Sequence, residues 1–315
     1  MQFDVFNGDA DGLCALLQYR LAKPCTSELV TGVKRDIVLL EKVHATQGDS
    51  VTVLDVSLAK NRVRLERLLG QGVRVFYVDH HQAGEIPKHA LLTTLINTDA
   101  KTCTSLLMNE YLQGQYLEWA IVGALGDNLT DVALQLGAEF SAQELKQLQQ
   151  LGVCLNYNGY GKSIEDLHFA PEVLFQYCIP YASPFDFIAE QNAIFQTLIH
   201  AYHDDLNAAF TIKSEFENNK VAIFVLPNTA WARRVSGVFS NELANRFPNR
   251  AHAVLNDDVG VFQVSVRAPL NNPTGADELC ASFSTGGGRK SAAGINQLPA
   301  EHKATFIQAF IKKFS

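Results

Sequence analysis

Three clusters of acidic and imidazole residues, Asn7-Gly-Asp9-Ala-Asp11-Gly12, Asp55 and Asp79-His80-His81, each stand where a strong apolar run stops. Strand ends of this kind gather hard metal ligands at one edge of a sheet, the pattern expected of a metal-dependent hydrolase acting on phosphate esters.

The surrounding segments alternate. Residues 1–6 read as a short strand, 12–21 as a helix, 51–56 as a strand, 61–69 as a helix and 73–78 as a continuous apolar strand that ends at Asp79. That spacing is the βαβ pattern, which builds parallel sheets and places ligands beyond the carboxyl ends of the strands. From Cys103 the pattern turns helical over 103–112, 117–125 and 142–151, before a Gly/Asn/Tyr-rich loop at 156–162. After Pro180 a long helix is predicted over 185–202. Beyond it come strands at 210–216, 221–226, 251–255 and 261–267, a helix at 232–247 and a closing helix at 303–314. The expected fold is therefore α/β: an N-terminal parallel-sheet domain over residues 1–182, a helical linker over 183–207 and a smaller α/β domain over 208–315.

Composition limits the partners. With 315 residues, 47% of them apolar, the chain can bury at least one full core. A net charge of -7 excludes a broad basic surface for long duplex nucleic acid, while a local phosphate pocket survives an acidic total. The six cysteines are scattered without CxxC spacing and read as buried thiols of a reducing cytosol. No 18-residue apolar span and no basic leader with a cleavage site is seen, so the expectation is a cytoplasmic protein without a membrane partner.

These motifs resemble those of the DHH phosphoesterases. Asn7-x-Asp9-x-Asp11-Gly12, Asp55 after a strand, Asp79-His80-His81 and Gly123-x-x-Gly126-Asp127 look like that family's four ordered motifs. Thr285-Gly286-Gly287-Gly288-Arg289-Lys290-Ser291-Ala292-Ala293-Gly294 is similar to the glycine-rich signature of the DHHA1 substrate-binding domain that follows in the larger subfamily. Each motif alone is weak; their order along the chain is what carries the resemblance.

Chemistry suits those positions. A strand-to-helix turn lets Asp9 and Asp11, two apart, converge instead of pointing to opposite faces. The resemblance implies that Asp9 binds one metal, Asp11 the other, that Asp55 bridges them, and that His80 and Asp127 are further ligands. Such a mostly oxygen set with one imidazole suits two divalent ions, Mn²⁺ more than Mg²⁺. By the same resemblance His81 donates to the scissile phosphate or its leaving oxygen, and a metal-bridging hydroxide attacks without a covalent intermediate. Asp79 is expected to accept from a neighbouring imidazole and fix its tautomer. For Asn7 three readings stand: a weak ligand, a ligand through water, or a group that positions substrate.

In the second domain, Gly286, Gly287 and Gly288 can bring backbone amides close to an anion, and Arg289 can add a bidentate contact. Relatives commonly carry His where this chain has Arg289. Arg267 is a basic position expected to bind substrate, whereas Arg233 and Arg234 read as solvated. Trp231, Phe283 and Tyr160 are candidates for base stacking, with core packing the weightier reading.

The expected activity is two-metal-dependent hydrolysis of phosphate esters in small nucleotides, chiefly short single-stranded oligonucleotides or bisphosphorylated nucleosides. Alternatives are a cyclic dinucleotide phosphodiesterase, an inorganic pyrophosphatase or exopolyphosphatase, and a regulatory nucleotide binder with a degraded site. The expected partners are such substrates, with room for a homodimer.

Overall fold

A computed structural model describes all 315 residues, which form two compact units, Met1–His200 and Ala201–Ser315. In the first unit β1 (Gln2–Phe6) leads into α1 (Ala10–Ala22), followed by β2 (Glu28–Val30), β3 (Ser50–Leu54), α2 (Leu58–Gly70), β4 (Arg74–Asp79) and β5 (Leu92–Ile96). Helices α3 (Thr104–Tyr111), α4 (Leu117–Gly126), α5 (Thr130–Leu136), α6 (Ala142–Asn158), α7 (Pro171–Cys178) and α8 (Pro184–Glu190) come next, and α9 (Asn192–Thr211) contributes residues to both units.

All five strands are parallel, in the order β2-β1-β3-β4-β5. A wholly parallel sheet is covered on both faces, which is why its central strands are largely apolar and buried. On one face Phe3, Val5, Val51, Val53, Val75 and Tyr77 pack with Leu58, Leu65, Leu68 and Leu69 of α2. Buried Leu13, Leu16 and Leu17 of α1 and Trp119, Ile121 and Val122 of α4 form a second apolar mass, with α1 packed on α3 and α4. The strand order reverses between β1 and β3. A crevice opens beyond the carboxyl ends of the strands at such a reversal.

A buried ion pair fixes α1. Asp4 of β1 is fully buried and accepts from Arg20 Nε at 2.6 Å and Nη2 at 2.5 Å, with Ser27 Oγ at 2.6 Å as a third donor. The fork ties the last turn of α1 to the sheet, so that its first turn stays over the end of β1.

The second unit holds β6 (Phe216–Glu217), β7 (Val221–Leu226), α10 (Ala230–Arg246), β8 (Ala251–Asp258), β9 (Val261–Arg267), α11 (Ala276–Ala281), β10 (Gly286–Gly288), β11 (Ala292–Pro299) and α12 (Lys303–Phe314). Its sheet is mixed, in the order β10-β11-β9-β8-β7-β6, with β7 and β8 its parallel pair. One face packs Phe306 and Phe310 of α12 and Leu279 of α11; the other packs Val235, Phe239 and Leu243 of α10 with Leu206 and Ala209 of α9. The architecture is thus α/β, with a parallel-sheet first unit and a smaller mixed-sheet second one.

Several elements differ from expectation. The strand expected at 210–216 is absent as such. Tyr202, Leu206, Ala209 and Phe210 face the same core at helical spacing, so α9 continues to Thr211 and only Phe216–Glu217 is extended. The single helix expected over 185–202 is broken at Gln191, whose φ of -101° and ψ of 34° leave the helical region. Helix α6 runs on to Asn158, into the expected loop, because Leu148, Leu151 and Leu155 prolong its buried face. All six cysteines are free thiols, five buried and Cys25 exposed. No helix is long and apolar enough to cross a membrane.

Asp4→Ala leaves the Arg20 guanidinium buried without its partner, and is expected to cost about 3–5 kcal/mol. Urea unfolding measures it as a lower midpoint at unchanged slope; a loss under about 1 kcal/mol would match an exposed pair and show that the fork does not hold α1.

Candidate metal centre

The carboxyl ends of β1, β3 and β4 deliver the expected residues to one place. Asp9 caps α1, its Oδ1 accepting from Gly12 N at 3.1 Å, and its Oδ2 accepts from Lys34 Nζ at 2.5 Å. Two residues on, Asp11 sends both oxygens to the start of α3, accepting from Ser105 N at 2.7 Å and Thr104 N at 2.8 Å. Asp55 follows β3 with a φ of 58°, in the left-handed region that Asp tolerates better than most residues. Its Oδ1 accepts from Thr104 Oγ1 at 3.2 Å and lies 3.4 Å from His80 Nε2.

Asp79 ends β4 fully buried. It accepts from His81 Nδ1 at 2.7 Å, from the His81 amide at 3.2 Å and from the Leu58 amide at 3.3 Å. The carboxylate therefore orients the His81 ring with Nδ1 as the donor, leaving Nε2 for other chemistry.

Asp127 caps the carboxyl end of α4. It reaches the cluster because α4 meets α1 closely: a Cβ on Gly126 would lie 2.4 Å from the Ala10 Cβ, so only glycine permits the approach. Two overlapping groups result, Asp55–His80–His81 and Asp11–His80–Asp127, each with its ligand atoms within 4.8 Å of one another.

Burial and like charge set the electrostatics. Burial pushes the Asp55 carboxyl well above the usual carboxylate range, and the charges of Asp11 and Asp9 push it further. Burial raises Asp127 to about 6 against the pull of Lys34, with Asp11 and Asp9 adding to the rise. For Asp9, burial acts upward but the charge and hydrogen bond of Lys34 outweigh it, and the net shift is downward. The hydrogen bond to Asp79 raises His81, against burial. Burial holds the Asp55 and Asp127 carboxyls above the usual carboxylate range, a cost that a bound cation relieves, and the two carboxylates and one imidazole of the Asp11–His80–Asp127 group fit a divalent ion of the Mn²⁺ or Mg²⁺ type.

Asn7 lies beside the cluster with its Nδ2 donating to the Lys34 carbonyl at 3.2 Å and its buried Oδ1 without a hydrogen-bond partner. Lys34, Thr104, Ser105, Asn156 and Tyr160 belong to this neighbourhood too. Of these the sequence pointed only to Tyr160, as a stacking residue. The run Thr102-Cys103-Thr104-Ser105 carries a helix-start signal, but nothing local marks Lys34.

The remaining expected site residues lie in the second unit. Gly286, Gly287 and Gly288 form the edge strand β10, paired antiparallel with β11, and Arg289 opens the tight turn that follows, its amide donating to Ala292 O at 2.8 Å. Arg267 pairs across β11 with Ala292 and donates to Asn241 Oδ1 at 2.8 Å and Ser265 Oγ at 3.0 Å. Arg234 is not solvated as expected: it is buried and paired with Asp205 at 2.8 Å. Trp231 packs on the α10 face and Phe283 against Phe306.

No protein-family model matches the sequence, and no curated protein matches it. Solved structures do. A crystal structure of exonuclease RecJ bound to manganese superposes with a TM-score of 0.59 at 17% identity, covering 98% of this chain and 88% of that one. RecJ from Thermus thermophilus in complex with Mn²⁺ gives 0.58 at 18%, covering 98% of this chain, which spans about half, 51%, of its length. PggH, a pGpG-specific phosphodiesterase from Vibrio cholerae, gives 0.54 at 14%, covering 98% and 99% of the two chains. What they share with this protein is the fold.

Asp127 also sets a pH dependence. A carboxyl whose folded pKa lies above its unfolded value of about 4 stabilises the fold below that pH, and the contribution is lost as pH rises through about 6. An ion that binds the carboxylate acts in the opposite sense. Added Mn²⁺ should raise the Tm little near pH 5 and clearly above about pH 6, measured by thermal unfolding against chelator-treated protein. An increment that is flat across this range would remove Asp127 from the ligand set.

Proposed function

We propose that this chain is a DHH phosphoesterase with a DHHA1-type second unit, hydrolysing phosphate esters of small nucleotides with the help of divalent ions, Mn²⁺ by preference. The substrates proposed are short single-stranded oligonucleotides or bisphosphorylated nucleosides. The observation that carries this reading is the convergence of Asp9, Asp11, Asp55, His80 and Asp127 at a strand-order reversal, beside the Asp79–His81 pair. The fold shared with RecJ and PggH, whose names speak of nuclease and phosphodiesterase action, supports it.

Asp11, Asp55, His80 and Asp127, with Asp9, would hold the ions. Bound there, such ions acidify water and neutralise charge on phosphoryl oxygens. His81 is a better proton donor than ligand. Its Nδ1 is committed to Asp79, its side chain is 44% exposed, and that hydrogen bond raises its pKa so that the ring keeps a proton nearer neutrality. Asp79 holds the ring so that Nε2 can hand a proton to the leaving oxygen. The buried, amide-bonded Asp11 keeps its carboxylate fixed in direction, which favours one ion geometry over many. Recognition of the rest of the substrate is assigned to Arg267, Arg289 and the β10 backbone. Gly287 has open space where a side chain would stand, so a ligand can reach that backbone.

The test is Mn²⁺-dependent release of phosphate or nucleotide from a panel: a dinucleotide, a five-nucleotide single strand, an adenosine bisphosphate, a cyclic dinucleotide and pyrophosphate. Turnover of one substrate class, reduced more than about a hundredfold in Asp55→Ala with the fold retained, is the expected result. Unchanged turnover in that variant would remove Asp55 from the chemistry, and Mn²⁺ binding without turnover of any member would turn the reading toward a regulatory binder. Arg289→Ala is expected to raise KM by about tenfold while leaving kcat nearly unchanged. A defect confined to kcat would instead move Arg289 to the reacting phosphate.

A further inference from the structure

Lys34 belongs to none of the sequence motifs, yet its ammonium stands among the site carboxylates. Its Nζ donates to Asp9 Oδ2 at 2.5 Å and to Asn156 Oδ1 at 2.9 Å, and lies 3.9 Å from Asp127 Oδ1. The Tyr160 ring is 5.4 Å away. The main chain is pinned on both sides, the Lys34 amide donating to Gly159 O at 2.8 Å and its carbonyl accepting from Asn7 Nδ2 at 3.2 Å. Glycine at position 8 allows this segment to press on the Asp9 loop, since a Cβ there would lie 1.9 Å from Gly32 O. The Lys34 and Asp9 side chains are 22% and 3% exposed, so the pair is only lightly screened.

The two ligand groups are unequal partners to this lysine. Asp9 belongs to neither, and both draw on His80, whose Nε2 faces Asp55 at 3.4 Å and Asp11 at 3.9 Å. One imidazole nitrogen offers one lone pair and serves one ion. Asp9, meanwhile, already has a positive charge beside it, and that charge reaches toward Asp127.

We propose that Lys34 is the resident cation on the Asp9–Asp127 side of the cluster, so that the site takes one divalent ion readily and a second only by displacing the ammonium. The inference rests on the metal-dependent reading above and goes beyond it. A positive charge a few Å away opposes a second dication, and the displaced ammonium must give up Asp9 and Asn156. Lys34 thus acts as a positioning residue, through Asp9, and sets how much free metal is needed to fill the site.

The experiment is titration of Mn²⁺ into chelator-treated wild type, Lys34→Met and Lys34→Arg, followed by calorimetry and by the electron paramagnetic resonance signal of a spin-coupled manganese pair. Wild type is expected to show one tight step, with the second at least about tenfold weaker or undetected. Lys34→Met should tighten or reveal the second step by about tenfold or more, leave the first within about threefold, and give the pair signal at lower Mn²⁺. Lys34→Arg keeps the charge and should keep the second step weak. Circular dichroism checks folding; should Lys34→Met be unfolded, Asn156→Leu removes one acceptor of the ammonium and is expected to move the second step the same way. Two equally tight steps in wild type, or a neutral variant whose isotherm superimposes on wild type, overturn the role of Lys34 and leave the metal-dependent reading standing. No Mn²⁺ binding by any of the proteins overturns both.

Discussion

Buried negative charge is what the first unit has to accommodate, and each carboxylate of the cluster meets that cost differently. Asp79 is matched by two amides and an imidazole, Asp11 by the two leading amides of α3, and Asp9 by the Gly12 amide and the Lys34 ammonium. For Asp55 the hydrogen-bond donor is the Thr104 hydroxyl, with His80 and His81 as neighbouring imidazoles at 3.4 and 3.9 Å. Burial and then the neighbouring carboxylates therefore push its pKa well up, and a carboxylate so buried and so weakly matched by the protein has much to gain from a cation.

The parallel sheet is the reason this concentration of charge is tolerable. Strands β1, β3 and β4 are covered on both faces and mostly apolar, with Asp4 matched by Arg20 inside β1, so the carboxylates of the cluster gather at the strand ends. The order reversal at β1 and β3 leaves room beyond those ends, and the first turns of α1 and α3 point backbone amides into that room. The same helix starts that cap Asp9 and receive Asp11 thus stabilise the fold and aim the carboxylates. Asp4–Arg20, at the far end of α1, keeps that helix in register with β1.

Strands that carry long apolar runs were legible from the residues, as were the acidic groups at their ends: Val75-Phe76-Tyr77-Val78 before Asp79 is the clearest case. The edge strands β2 and β5 were not, because Glu28–Val30 is three residues long with one buried, and β5 carries Thr93 and Thr94 on a partly exposed edge. The 210–216 segment failed for another reason. Its aromatic residues suit a strand, and the helical spacing that overrides them involves Tyr202 and Leu206, upstream of the segment. Glycine-rich 286–288 reads locally as a loop, while its pairing partner β11 stands beyond the turn. Lys34 was invisible for a stronger reason. One lysine in Val33-Lys34-Arg35 is an ordinary surface pattern, and what makes it otherwise is Asn156, more than a hundred residues away.

Asn7 and Lys34 form a single device, which gives the neutral amide at position 7 a physical rationale. The Nδ2 of Asn7 donates to the Lys34 carbonyl, a bond that a carboxylate at this position cannot make. That bond fixes the amide so that Oδ1 is the atom left without a protein donor. A carboxylate here would add another negative charge beside Asp55 and Asp127, whose carboxyls burial and then neighbouring charge already push up, and would remove one of the two main-chain ties of the loop that carries the ammonium. With asparagine, the loop is held and the local charge stays lower by one. The oxygen left over remains available to a bound ion, to a water on it, or to substrate. A neutral amide at position 7 is then no erosion of the site. It is the half of a compensating pair that a reading of isolated motifs would count as a loss.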